Sequence, residues 1–276
     1  MTAESMVLSL VHLKGWGPKK IYDFVKSRGF DYSLCEGALN RILSPEEAVE
    51  FDEAHSKAEA TLKDNEAVGV SSISLLDPHF PAKLYSGTDK CVFLYYKGDI
   101  SLLAKESVSI IGTRHPSPTF LSRGRMMTRF FVKQGYCIVS GLALGCDTVA
   151  HDECIKAGGK AIAVLPSPCD NPQPASNRLL ADSIIESGGL LISEYGTGSP
   201  VTKYNFPRRD RIQSLLSDAT VIIQANDQSG TMIAAKKSIQ DGKRVAALSG
   251  NELTAVQDYI DETDIEGLSD FCNWIL

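Results

Sequence analysis

The sequence lacks the signatures that would place it in several large classes. No two of its seven cysteines form a Cys-x-x-Cys pair, and an odd number of scattered thiols fits reduced, buried side chains better than a disulfide framework. Nothing matches Gly-x-Gly-x-x-Gly or Gly-x-x-x-x-Gly-Lys-Ser/Thr, so neither a dinucleotide oxidoreductase nor a P-loop hydrolase is supported. No apolar run is long enough to cross a bilayer, and no charged-then-apolar leader opens the chain; the expectation is a cytoplasmic protein with no membrane contact. Lys and Arg are absent from residues 245–276, which carry seven Asp and Glu. Residues 105–244 are the basic part, with 17 Lys and Arg against 12 Asp and Glu, while residues 1–104 have 11 against 15. This asymmetry points to an anionic ligand for the middle and a packing or protein-docking role for the tail, which an anionic ligand would avoid.

What is present falls into three parts. Residues 1–68 have apolar residues three and four apart in MVLSLVHL, KKIYDFVKSRG and SPEEAVEFDEAHSKAEATLKDN, predicting a small helical domain of the helix-hairpin-helix or SAM-like kind. Gly15-Trp16-Gly17-Pro18 would turn the chain between the first two helices, with proline at the first helical position. Residues 72–250 alternate apolar strand-like runs with helical segments: VSII (108–111), CIVS (137–140), AIAVL (161–165), LLISE (190–194), ATVIIQ (219–224) and RVAAL (244–248). Runs without polar alternation suit strands buried on both faces, so the fold class is α/β, an extended Rossmann-like, doubly wound, mostly parallel sheet. Residues 251–276 read as an acidic helical tail.

In such a sheet, ligands gather beyond the carboxyl ends of the strands. Four loops fall on that edge, and three supply candidate residues: Gly112, Thr113 and Arg114; Ser140 and Gly141; and Ser229, Gly230 and Thr231. The fourth, Tyr195 to Gly198, adds two more glycines. Glycine allows close approach of a ligand to the backbone, and hydroxyls with free N–H groups favour anions. Ser140, Asp147 and His151 invite comparison with a catalytic triad, but Ser140 has no Gly-x-Ser-x-Gly elbow, and bracing of a ligand loop is the better reading. Cys146, His151 and Cys154 offer three zinc donors on one helix, one short of a structural site. A second dense spot is Phe206-Pro207-Arg208-Arg209-Asp210-Arg211, where an aromatic beside guanidinium groups suits stacked bases and phosphates, although a solvated charge run has the same composition.

Taken together, IIGTRHPSP, IVSGLALGCDTVAH, LLISEYGTGSP, FPRRDRIQSLLSDATVIIQA and SGTMIAAKKSIQDGKRVAALSG resemble, in order and spacing, the DNA-processing protein A (Smf) family. The resemblance implies a Rossmann-like protein that binds single-stranded DNA, forms a homodimer and loads a RecA-type recombinase, with no cofactor, metal or catalytic residue. It carries DNA contacts onto Gly112, Thr113, Arg114, Arg208 and Arg211, and the neighbouring candidates Ser140, Gly141, Phe206, Arg209, Ser229, Gly230 and Thr231 complete the expected surface. Where the family has asparagine, this chain has Asp210; the carboxylate either braces an arginine or alters the site. Where the family shows Tyr-Pro followed by a basic residue, this chain has Asn171-Pro172 and Pro174, and the winged helix of many relatives is not expected in the tail. The alternative is a nucleotide sensor or hydrolase akin to the phosphoribohydrolases, whose Pro-Gly-Gly-x-Gly-Thr-x-x-Glu loop is replaced here by Asp227-Gln228-Ser229-Gly230-Thr231-Met232.

Overall fold

The computed structural model describes residues 1–87, 89–264, 267–268 and 270. The chain begins with α1 (Ala3–His12), α2 (Pro18–Lys26), α3 (Tyr32–Ile42) and α4 (Pro45–Ala67). Capping boxes start α1 at Thr2 and α4 at Ser44, each satisfying amide donors that the first helical turn leaves free. Gly15, at φ +79°, makes the turn into α2, which Pro18 opens.

Next come β1 (Ser71–Ser74), α5 (Lys83–Ser86) and β2 (Phe93–Gly98), followed by β3 (Ser107–Ile111), α6 (Pro118–Lys133), β4 (Cys137–Ser140), α7 (Cys146–Lys156) and β5 (Ala161–Leu165). The remainder is α8 (Arg178–Glu186), β6 (Leu190–Ser193), α9 (Asn205–Leu216), β7 (Ala219–Ile222), α10 (Thr231–Gln240), β8 (Arg244–Leu248) and β9 (Asp261–Thr263). The strands form one sheet in the order β1-β2-β6-β5-β4-β3-β7-β8-β9. β1 and β2 pair antiparallel, as do β2 and β6, and the remaining pairs are parallel. The expected Rossmann-like α/β class is therefore observed, and β3 through β7 are buried along their whole length. With right-handed crossovers, α6, α7 and α8 cover one face and α9 and α10 the other. The strand order reverses between β3 and β7, where such folds open a crevice.

Two expected boundaries are not breaks in packing. Met6 and Leu10 of α1 share one apolar cluster with Ile73 of β1 and Leu94 of β2, so the helical segment is built onto the antiparallel edge of the sheet. The tail is not simply helical: residues 254–259 form a 3₁₀ turn, and β9 adds a parallel strand beside β8. Leu253 and Val256 pack against Met232 and Val245. Pairing with an available sheet edge overrides the weak strand preference of Asp261-Glu262-Thr263. Residues 265, 266, 269 and 271–276 of the expected tail lie outside the described residues.

Candidate nucleic-acid interface

At the reversal of strand order, the loop after β3, the entry to α9 and the start of α10 enclose a groove of about 530 Å³. One wall is Gly112-Thr113-Arg114. Gly112 is required by close packing, because an added Cβ would stand 2.4 Å from Cys146 Sγ and 2.9 Å from the Gln224 carbonyl oxygen. Thr113 N–H donates to that carbonyl at 2.7 Å, and the Thr113 carbonyl accepts from Cys146 N–H at 3.1 Å, so the loop is pinned between β7 and α7. Arg114 is exposed, and its guanidinium lies 5.6 Å from the centre of the Phe206 ring, a cation–π arrangement. Lys203 and Phe206 form the facing wall, with Ser229, Gly230 and Thr231 at the start of α10. The positive end of that helix adds to the anion-attracting potential.

The floor is polar and mostly buried. Arg209 is 6% exposed; its Nε donates to Asp210 Oδ1 at 2.7 Å, and its Nη1 donates to the carbonyls of Gly141 and Val164. Asp210 thus braces an arginine while still lining the groove. Asp147 Oδ2 accepts from the N–H groups of Gly141 and Ala143, both at 3.2 Å. Burial raises the Asp147 pKa above the usual carboxylate value, and the Arg209 charge opposes that rise. Gln213 is buried beside them, its Nε2 without a partner among the described residues. A second cleft of about 410 Å³, lined by Leu144, Pro166, Pro174 and Val201, meets the groove across Arg114, Phe206 and Arg209.

Not every expected residue reaches this place. Ser140 is fully buried, and its hydroxyl donates to the Ile110 carbonyl at 2.6 Å; it is a brace between β4 and β3, with no surface to offer a ligand. Gly141 borders the adjoining cleft rather than the groove, packed so closely on Arg209 that an added Cβ would stand 1.9 Å from Nη1. Arg211 is also displaced from its expected role: it is 5% exposed and paired with Glu194 at 2.5 Å and Asp89 at 3.6 Å. A guanidinium already neutralised inside the protein does not serve a phosphate. Arg208 is exposed but does not line the groove. The Tyr195–Gly198 loop is tied to α4, Thr197 N–H donating to Asn65 Oδ1 at 3.1 Å. Cys146 packs against Gly112 and Cys154 against Gly159; among the described residues no three acidic, His or Cys side chains converge as metal ligands. Conversely, Lys203, His115 and Gln213 line the groove and were not expected. The lysine three residues before Phe206, just ahead of α9, was the available signal.

The groove depends on Gly145, which precedes α7 at φ +79° and ψ −118°. An added Cβ would lie 2.5 Å from the Thr113 carbonyl oxygen and 2.6 Å from the Arg114 carbonyl. Gly145→Ala is expected to lower stability by about 2 kcal/mol, as a sparsely allowed backbone with a methyl clash requires. Urea unfolding checks this; a loss below roughly 0.5 kcal/mol would mean that the loop relaxes freely.

Residues 71–262 match the family model for DNA recombination-mediator protein A. The DNA processing protein DprA of Bacillus subtilis is 32% identical over 203 residues, spanning 73% of this chain and 68% of its own. That of Streptococcus pneumoniae is 31% identical over 246 residues, 89% of this chain and 80% of its own. The solved structure of the Streptococcus pneumoniae protein superimposes with a TM-score of 0.80 at 25% identity, covering 98% of each chain. DNA processing protein A from Helicobacter pylori, described for its single-stranded DNA binding mode, has a TM-score of 0.66 at 28% identity, covering 74% of this chain and 95% of that one. Among the described residues no helix is long and apolar enough to cross a membrane. The match to the family model, the relatives and the shared sheet place this chain in the DNA recombination-mediator protein A family.

Proposed function

We propose that the protein holds single-stranded DNA in the carboxyl-edge groove, without catalysing a reaction on it, and delivers the strand to a RecA-type recombinase as a homodimer. The observation that carries this reading is Arg114 set over the Phe206 ring, with Lys203 in the same groove. Exposed cations beside an aromatic face supply phosphate attraction and base stacking, the two terms that sequence-tolerant binding needs. The buried Ser140, whose hydroxyl is already committed, supports a binding role over nucleophilic chemistry. The recombinase step is supported by the mediator role in the family's description.

Anisotropy with an oligo-dT strand across a salt series tests the groove. Each phosphate contact on a single strand contributes roughly −0.7 to the slope of log K against log salt. Arg114→Ala with Lys203→Ala is therefore expected to flatten the slope by about 1.4 and weaken binding roughly tenfold or more at moderate salt. Arg178→Ala, an exposed residue on α8, should do neither. Unchanged slope and affinity in the folded double variant would remove the groove from consideration. Stabilisation by mononucleotides, with no binding of the oligomer, would favour the nucleotide-sensor alternative.

A further inference from the structure

A second concentration of positive charge lies on α6, outside the groove. Arg125, Arg129 and Lys133 recur every four residues, placing them along one side of the helix about 6 Å apart. With Lys156 of α7 they line an open cleft of about 540 Å³. Glu153, its side chain 4% exposed, accepts from Arg129 Nε and from Arg125 Nη1 at 3.4 Å. Asp152 accepts from Lys156 at 2.7 Å and from Arg125 at 3.1 Å. Four cations meet two carboxylates, leaving an excess of positive charge.

The burial of Glu153 separates this face from an ordinary solvated charge run. A buried carboxylate costs desolvation, and here it holds two guanidiniums side by side while their side chains remain 38% and 53% exposed. Arg129 Nη1 and Nη2 make no hydrogen bond among the described residues. Forked donors repeated at each helical turn suit a polymer with an anion on every unit. The helix starts four residues after Arg114, and Arg125 lies about 10 Å along it, so the row begins near the groove and leads away from it.

We infer that the α6–α7 face is a track for a nucleic-acid phosphate backbone, continuing the path of a strand held in the groove. This rests on the single-strand reading of the groove, and strand length separates the two. A strand of roughly 8 nucleotides fills the groove alone, whereas one of roughly 40 reaches both surfaces. The triple variant Arg129→Gln, Lys133→Gln, Lys156→Gln should leave short-strand affinity unchanged, weaken the long strand about tenfold and flatten its salt slope by about 2. Lys133→Gln with Lys156→Gln leaves the Glu153 pairs intact, so it carries the test if the triple variant fails to fold, with a proportionally smaller effect. Wild-type affinity and slope for the long strand in a folded variant would overturn the track, as would poly-glutamate binding to this face without competition from the long strand. If Arg114→Ala with Lys203→Ala leaves short-strand binding intact, the groove reading fails on its own, whatever the α6 variants do.

Discussion

Arg209→Met is expected to destabilise the protein by about 3–5 kcal/mol, the usual loss when one partner of a buried ion pair is removed. Methionine fills a similar volume but satisfies none of the groups Arg209 serves: the Gly141 and Val164 carbonyls and Asp210. It also leaves the neighbouring Asp147, already pushed towards protonation by burial, without the charge that opposes that shift. For a chain of this size the loss corresponds to a melting temperature lower by roughly 10 °C. Adding Asp210→Asn to the variant should recover part of it, because a half-buried carboxylate then no longer lacks a counter-charge. A drop below about 1 kcal/mol for the single variant would show that Arg209 does not organise the groove floor.

Acid should weaken the protein through His151. The side chain is fully buried, and among the described residues neither ring nitrogen makes a hydrogen bond of normal geometry. Burial pushes its pKa down from 6.5 to about 3, the Ser140 backbone opposing and the Arg209 charge adding slightly. The folded state therefore keeps the imidazole neutral, while the unfolded chain takes up the proton below 6.5. The stability contribution is full above that value and is lost progressively as pH falls towards 3. At about pH 4.5 the loss is about 3 kcal/mol, two units at 1.36 kcal/mol each. Urea unfolding at about pH 7.5 and about pH 4.5 should show His151→Leu losing that much less than the wild type, since other titrations are common to both. Equal losses would remove His151 as the cause.

The sheet was legible because strands buried on both faces leave unbroken apolar runs such as AIAVL. β9 was not, because Asp261-Glu262-Thr263 becomes a strand only by pairing with β8. At the site, Gly112-Thr113-Arg114 and Ser229-Gly230-Thr231 were readable as carboxyl-edge loops. The arginine run was harder. Arg209 and Arg211 are about 200° apart around α9, so one faces the groove and the other Glu194, and local composition does not say which. Lys203 went unread because the wall opposite it is made by Arg114, a residue remote in sequence that only the sheet brings close.

The two ends of the sheet are protected by different means. At β1 the helices α1 and α4 pack against the edge, whereas β9, the last described strand at the opposite end, has only three residues. Two of them are acidic and exposed, Asp261 held by Arg244. A short edge bearing like charges repels a second copy of itself and offers few backbone groups to pair. The same carboxylates that give the tail its negative charge thus discourage edge-to-edge aggregation, a hazard for any open sheet.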